Sequence, residues 1–168
     1  LASDEFIVTC LRFATACGFS PRLRLDLVLN DFVVSAYQDG SITILSDGTP
    51  IRPLIDVKDM AKAVGWAIDR GQETDEEFIA VNVGRRDNSM SVKQLAESVS
   101  EAIGGVEINI NSDAPADKRS YSVDFSRFEE LAPDHQPSYS ISETAIELAN
   151  YLPAAGVDLK DFRASNYF

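Results

Sequence analysis

A transition from strand to helix lies in the stretch Arg52-Pro53-Leu54-Ile55-Asp56-Val57-Lys58-Asp59-Met60-Ala61. Its first four residues favour a short strand, and Asp56 is a residue type that caps helix N-termini. Asp59 falls in the first helical turn, where a negative charge suits the helix dipole. Apolar residues then recur at helical spacing up to Ile68, and Gly71 predicts the end of the helix. A strand followed by a helix is the unit from which α/β folds are built.

The same alternation continues on both sides of this stretch. Residues Phe6–Phe13 form a near-continuous apolar run, which is typical of a strand buried on both faces. A helix is predicted from a cap at Asp26 to about Gln38, with Gly40 as its stop. Further strands are predicted at Ile42–Leu45, Glu77–Val83 and Val106–Ile110, and capping boxes at Ser91–Gln94, Ser126–Glu129 and Ser140–Glu143. The sequence therefore predicts a single α/β domain over residues 1–168.

Charge excludes several classes of partner. The chain has 168 residues with 15 Lys and Arg against 27 Asp and Glu, a formal net charge of −12. Nucleic acids and anionic membrane surfaces both select basic proteins, so neither is an expected partner. No run of eighteen apolar residues predicts a membrane span, and residues 1–5 do not resemble a signal peptide. We expect a cytoplasmic protein.

Cysteine and histidine usage argues against metal and His-dependent chemistry. Cys10 and Cys17 lie in apolar sequence, and the expected interpretation is buried free thiols in a reducing compartment. His135 is the only histidine and lies between two prolines, so it is expected in an exposed loop. A zinc site or a His-based triad needs more ligands than this, and no metal site is predicted.

Several catalytic and cofactor motifs are absent from the sequence. There is no G-x-G-x-x-G turn for a dinucleotide, no phosphate-binding G-x-x-x-x-G-K-[ST] loop and no G-x-S-x-G. None of the five tyrosines is followed by a lysine four residues later. No catalytic residue and no cofactor-binding residue is therefore predicted within the chain.

Four arginines stand out in an otherwise acidic chain. Arg22, Arg24, Arg52 and Arg119 lie in or beside predicted loops, where guanidinium groups can hold phosphate through two hydrogen bonds. The alternative is that they are solvated charges or partners of the many carboxylates.

Four stretches together resemble the extended short-chain dehydrogenase/reductases, the NAD-dependent epimerase/dehydratase family that acts on nucleotide-sugars. Leu11–Gly18 resembles the family's L-R-x-x-N-x-Y-G, and Gly48–Ala61 resembles G-x-x-x-R-x-[FL]-[IV]-[HD]-V-x-D-x-A. Phe78–Gly84 resembles its F-N-V-G strand, and Asp117–Arg127 resembles D-x-R-x-Y-x-x-D-x-S-K. The resemblance spans nearly the whole chain. It implies the C-terminal part of an extended Rossmann-type fold, with a small mixed sheet and flanking helices.

The resemblance implies a site for a nucleotide-diphosphate sugar. In the family an arginine at the position of Arg52 holds the diphosphate, and the segment matching Arg119 supplies a second contact. Thr15 stands where the family has an asparagine that touches the diphosphate. The loop after Gly18, with Arg22 and Arg24, and the helix start at Leu27 and Val28 face the nucleotide in the family. The strand that ends at Leu45 flanks the base there.

The same resemblance implies that NAD, the cofactor of the intact family, is bound by a region N-terminal to this sequence. One hypothesis is therefore the nucleotide-sugar-binding portion of an NAD-dependent epimerase or dehydratase, inactive alone. The other is a stand-alone, non-catalytic binding or partner module derived from that family. An in-frame Gly-rich turn and Tyr-x-x-x-Lys upstream of Leu1 would favour the first.

Self-association is expected through the first strand. In the family this strand joins a sheet whose other strands come from the N-terminal half. Without those neighbours, Phe6–Phe13 presents an apolar edge that can pair with another chain, most simply in a homodimer.

Overall fold

The computed structural model describes residues 2–3, 6–70, 76–111 and 120–154. Strands and helices alternate within them, as the sequence predicts. The strands are β1 (Val8–Phe13), β2 (Thr15–Cys17), β3 (Ser41–Ile44), β4 (Ile51–Asp56), β5 (Phe78–Val83), β6 (Ser89–Ser91) and β7 (Glu107–Ile110). The helices are α1 (Val28–Asp39), α2 (Val57–Arg70), α3 (Val92–Ala102), α4 (Ser126–Leu131) and α5 (Ile141–Tyr151).

The described strands form three small sheets, and most of the pairings are parallel. β1 pairs with β5, β2 with β4, and β3 with β7, all in parallel, whereas β6 joins β4 antiparallel. Parallel strands need a crossover between them, and α1 and α2 lie in such crossovers. The α/β class with small mixed sheets and flanking helices is therefore confirmed.

Two apolar clusters hold these layers together. The larger one packs α1, α3 and α5 around β3 and includes Leu29, Leu95 and Leu148, each fully buried. The smaller one covers one face of β1 and β5 with α2 and α4. There the rings of Trp66 and Phe128 meet edge to face, with centroids 5.2 Å apart. The strands β2 and β4 lie between the two, since Leu54 belongs to the larger cluster and Ile55 to the smaller one.

The first strand differs from its prediction. It begins at Val8 rather than Phe6, whose side chain is 61% exposed, and Cys10 is also exposed. The smaller cluster takes side chains from one face of β1 only, such as Leu11 and Phe13. Burial on both faces and a buried Cys10 were therefore wrong expectations, whereas the buried position of Cys17 is confirmed.

Some of the predicted helix ends are confirmed and others are wrong. Gly40 closes α1 in the left-handed conformation, and the capping boxes that begin at Ser91 and Ser140 are both complete. Asp26 does not cap α1, because its carboxylate is bound by Arg24 instead. Ser126 does not form a capping box either, because its N–H and hydroxyl both donate to Asp124.

Three smaller expectations remain. His135 lies in a short 3₁₀ turn, Pro133–His135, and is half-buried rather than exposed. Gly71, the predicted end of α2, lies outside the described residues. None of the helices in the described part of the chain is long and apolar enough to span a bilayer.

Candidate functional site

Thr15 and Arg52 lie on the same face of the β2–β4 pair. Thr15 is in register with Leu54, and Arg52 is two residues from Leu54 along β4. Since side chains alternate along a strand, residues two apart point to the same face. Two of the predicted diphosphate contacts are thus brought to one place by strands that are far apart in sequence.

Tyr121 connects the two. Its hydroxyl lies 3.1 Å from the Thr15 hydroxyl oxygen, and the Arg52 guanidinium carbon lies 5.8 Å from the centre of its ring. A cation at that distance from an aromatic face is attracted by the ring's negative face. Tyr121 is 45% exposed and Arg52 is half-buried, so the cluster lies at the surface. We call these three residues the Tyr121 cluster.

A hydrogen bond from β4 holds the segment that carries Tyr121. The N–H of Ile51, the residue before Arg52, donates to the Ser120 hydroxyl at 3.0 Å. The Arg52 guanidinium itself donates to the Ile51 carbonyl at 3.0 Å. Arg119, the other predicted diphosphate contact, lies outside the described residues. Its neighbours Ser120 and Tyr121 nevertheless lie against β4 and β2.

The loop after Gly18 is organised by a buried asparagine. The Asn30 side chain accepts from the Gly18 N–H and donates to the Arg24 carbonyl, at 2.9 and 2.8 Å. Arg24 donates through Nε and Nη2 to the Asp26 carboxylate, and these hydrogen bonds lower the pKa of Asp26. Arg24 is therefore engaged by a carboxylate, as the alternative interpretation of the arginines allows.

The remaining predicted residues are not joined to the Tyr121 cluster by any described hydrogen bond or ion pair. Arg22 is exposed, Leu27 and Val28 are half-buried at the start of α1, and Leu45 is 70% exposed directly after β3. Val28 packs against the larger apolar cluster. Their roles in binding stay predictions.

The two aspartates around the start of α2 have different partners. Asp56 is the predicted cap: its carboxylate accepts from the Lys58 N–H at 2.8 Å and from the Thr144 hydroxyl at 2.8 Å. Burial raises the pKa of this carboxyl, and the two hydrogen bonds oppose that effect. Asp59 does not cap α2. Its buried carboxylate accepts from the N–H groups of Ser138 and Tyr139, each at 3.0 Å, and so anchors the segment before α5.

The Cys17 thiol beside these aspartates is inert. Burial raises the pKa of the Cys17 thiol, and the neighbouring Asp56 and Asp59 act in the same direction. A thiol that stays protonated is neither a nucleophile nor a metal ligand. No three His, Cys, Asp or Glu side chains of the described residues lie together as metal ligands could.

Two glycines that follow strands, Gly18 and Gly84, pack against side chains of the protein. At Gly18, which follows β2, an added Cβ would lie 2.7 Å from a carboxylate oxygen of Asp56. At Gly84, which follows β5, it would lie 2.5 Å from the ring of Phe125. Dinucleotide sites need glycine backbone that a pyrophosphate can approach. Here a carboxylate and a phenyl ring fill that space, so both glycines are explained by packing within the protein.

Sequence reasoning missed Tyr121, Ser120 and Asn30 as parts of the site. Tyr121 lies two residues after Arg119 in Asp117–Arg127, the stretch that resembles a family motif. Its position in that motif is a signal that could identify it. Asn30 follows the start of α1 and has no local pattern that marks it. Its role depends on the loop folding back over twelve residues.

Comparison with known proteins gives one matching family model and several similar folds. Residues 2–84 match a family model that is described as "NAD dependent epimerase/dehydratase family". UDP-N-acetylglucosamine 4-epimerase from Bacillus cereus has a similar fold, with a TM-score of 0.70 at 21% identity over 88% of this chain. MoeE5 in complex with UDP-glucuronic acid and NAD has a TM-score of 0.71 at 20% identity over 90% of this chain.

A third similar structure is UDP-glucuronic acid 4-epimerase from Bacillus cereus in complex with UDP-glucuronic acid and NAD. Its TM-score is 0.67 at 22% identity over 86% of this chain. The chain covers 48%, 48% and 44% of these three proteins respectively, which is under half of each. The fold is therefore Rossmann-like α/β. Residues 2–84, just under half of this chain, match the NAD dependent epimerase/dehydratase family.

Proposed function

We propose that this chain binds a nucleotide-diphosphate sugar as the substrate-binding portion of an NAD-dependent epimerase or dehydratase. One observation carries the proposal: Thr15 of β2 and Arg52 of β4 both contact Tyr121 at the surface. Two of the similar structures contain UDP-glucuronic acid together with NAD, which supports the same ligand class here.

The chemistry of the Tyr121 cluster suits a diphosphate. A guanidinium can bind two phosphate oxygens at once, and hydroxyl groups add neutral donors beside it. The chain carries a net charge of −12, so most of its surface disfavours an anion. The Arg52 guanidinium, with hydroxyl donors beside it, is therefore a favourable place for an anionic ligand to bind.

A UDP titration of the 168-residue chain tests the proposal. A charge-assisted hydrogen bond contributes about 1.5–3 kcal/mol, so Arg52→Ala should weaken UDP binding by about tenfold or more. Arg86→Ala is the matched control, because Arg86 is an exposed arginine that pairs with Glu129 and Asp124 and has no described contact with Thr15, Arg52 or Tyr121. The proposal fails if the two variants bind UDP equally well.

The redox part of the family's reaction is assigned to residues outside this sequence. We infer that the isolated chain binds no NAD and has no epimerase or dehydratase activity. Space at Gly18 and Gly84 is filled by Asp56 and Phe125, and the sequence has no Tyr-x-x-x-Lys. Calorimetric titration with NAD should give no measurable heat of binding. A micromolar dissociation constant would contradict this.

We also propose that the chain forms a homodimer through β1. Among the described strands, β5 is the sole partner of β1, and Phe6 and Cys10 are exposed. Sedimentation equilibrium should give a dimer that a Phe6→Lys/Val8→Lys variant converts to a monomer. A monomer at high micromolar concentration of the unmodified chain would contradict the proposal.

A further inference from the structure

Strand β7 forms the accessible edge of the β3–β7 pair. Among the described strands, β3 is the one partner that β7 has. The side chains of Glu107, Asn109 and Ile110 are exposed, that of Ile110 by 40%. Strand β3 is less accessible, since its residues Ile42 and Ile44 are fully buried. The edge of this sheet that another chain can reach is therefore the outer edge of β7.

The backbone groups on that edge belong to Ile108 and Ile110. The N–H of Asn111, just after β7, donates to the Ile44 carbonyl at 3.1 Å and so faces β3. The backbone groups of successive residues in a strand point to alternate edges, so those of Ile108 and Ile110 point away from β3. No described residue forms a hydrogen bond with them. Each of the two residues therefore offers a donor and an acceptor to a further strand.

The sequence of β7 does not prevent such pairing. Natural edge strands often carry lysine or proline, which keep other chains from adding to the sheet. β7 is Glu107-Ile108-Asn109-Ile110 and contains neither. On one face Ile108 packs against the larger apolar cluster and Ile110 extends this face to the surface, whereas Glu107 and Asn109 lie on the other face. The edge therefore suits a strand with one apolar and one polar face.

The surroundings of this edge are acidic. The last turns of α1 and α3 carry Asp39 and Glu101 and contain no basic residue, so these carboxylates add to the negative ends of the helix dipoles. Both helices lead into the sheet, where Ser41 of β3 is in register with Glu107 of β7. Asp39, Glu101 and Glu107 form no ion pair with a described residue. Residues 25–51 and 94–111, which build this part of the molecule, contain no lysine or arginine. A basic partner complements this charge, and an acidic one is repelled.

We propose that the outer edge of β7 binds an extended basic peptide of another protein, which joins the β3–β7 pair as a third strand. Hydrogen bonds to Ile108 and Ile110 hold the peptide backbone. Alternate side chains of the peptide lie beside Ile110 on the apolar face and beside Glu107 on the polar face, so apolar and basic residues alternate in the partner. The surface shares no residue with the Tyr121 cluster, and the inference goes beyond the proposed function.

Titration of the 168-residue chain with short capped peptides of equal length tests the inference. A peptide of alternating lysine and valine should bind. A peptide of alternating lysine and proline has the same charge but lacks half of the backbone N–H groups. The loss of two or more hydrogen bonds should weaken its binding by about tenfold or more. A peptide of alternating glutamate and valine can form a strand but has the wrong charge, and it should not bind.

Amide hydrogen exchange locates the bound peptide on the unmodified chain. The lysine–valine peptide should slow exchange at Ile108 and Ile110, whose N–H groups point outward. Exchange at Asn109 should change little, because its N–H already faces β3. New protection in β1 rather than in β7 would show that a different edge binds the peptide and would overturn the inference.

Two pairs of variants separate the backbone contacts from the charge. Ile110→Pro removes an outward N–H and should weaken binding of the lysine–valine peptide about tenfold, whereas Ile110→Val keeps that N–H and should bind normally. Protection of the Ile44 amide in both variants shows that the β3–β7 pair is intact. Glu107→Lys should weaken binding about threefold or more, and Asp134→Lys, which changes the net charge equally at an exposed aspartate, should not.

Several results would overturn the inference. Equal binding of the lysine–valine and lysine–proline peptides would mean that charge alone attracts them. Equal binding of the glutamate–valine peptide would remove the charge complementarity. Normal binding by Ile110→Pro would show that the outer edge of β7 is not used, and the inference is also wrong if none of the three peptides binds.

Discussion

Two groups of polar residues on neighbouring elements have opposite environments. Asp56 and Asp59, at the start of α2, are buried and have hydrogen-bond donors on their carboxylates. Thr15 and Arg52 each contact Tyr121 at the surface. Buried polar groups must be satisfied within the protein, whereas exposed ones gain little stability from their contacts. The comparison teaches that the aspartates stabilise the fold, whereas the Tyr121 cluster lies at the surface, where we propose that the ligand binds.

The largest expected loss of stability comes from replacing a buried aspartate. Asp59→Ala leaves the N–H groups of Ser138 and Tyr139 without acceptors and should lower the free energy of unfolding by about 3 kcal/mol. Asp134→Ala, at an exposed aspartate, is the control and should change it little. Urea denaturation measures both. Equal effects would show that burial of Asp59 is not what matters.

A somewhat smaller loss is expected at Gly18, which packs against Asp56. Its φ is +95°, and an added methyl group would lie 2.7 Å from the Asp56 carboxylate. Gly18→Ala should therefore cost about 2 kcal/mol of stability. Gly65→Ala is the control, because Gly65 lies inside α2 with open space around it, and it should stabilise by up to about 1 kcal/mol. A stabilising Gly18→Ala would contradict the close packing.

The next effect depends on pH. Burial raises the pKa of Asp56 above its ordinary value of 3.8. Between that value and the folded-state pKa, the folded chain binds more protons than the unfolded chain, so stability falls as the pH rises. Asp56→Asn removes this titration; its amide oxygen keeps an acceptor for the Lys58 N–H, and its NH2 group can donate to the Thr144 hydroxyl oxygen. The stability of the unmodified chain relative to Asp56→Asn should therefore fall as the pH rises from about 4 towards neutrality.

Urea denaturation at a series of pH values measures this difference. The difference between the two chains isolates what the Asp56 carboxyl contributes, including its interactions with Lys58 and Cys17. A difference in stability that rises with pH would show that Asp56 is stabilised in its ionised form.

The smallest effects on stability should come from the Tyr121 cluster. Arg52→Ala, Thr15→Val and Tyr121→Phe should each change the free energy of unfolding by less than about 0.5–1 kcal/mol. Urea denaturation of the three variants checks this. A loss as large as that from Asp59→Ala would mean that the cluster holds the fold together, and the comparison would break down.

Much of the fold could be predicted because its signals are local. Two capping boxes, the stop at Gly40 and the alternation of strands and helices all depend on residues within a few positions of each other. The failures at Asp26 and Ser126 have a common cause. Each residue has a nearby partner that competes for its polar group, Arg24 in one case and Asp124 in the other.

The site was predictable only in part because its contacts are long-range. Thr15 and Arg52 were predicted separately from a family resemblance, and no local pattern says that Tyr121 joins them. Asp59 has the sequence position of a helix-capping residue, but its donors at Ser138 and Tyr139 come from 79 and 80 residues away. Cys10 lies in an apolar run, and its exposure depends on which face of β1 the helices cover.

The most direct test of the central claim is to map UDP onto the chain by the amide signals that shift on titration in an NMR spectrum. The account predicts that the largest shifts fall on Thr15, Arg52 and Tyr121 and on their sequence neighbours, and that Arg52→Ala reduces them. Amides near Arg86 serve as the internal reference and should not move. Shifts confined to residues outside the Tyr121 cluster, or none at saturating UDP, would contradict the account.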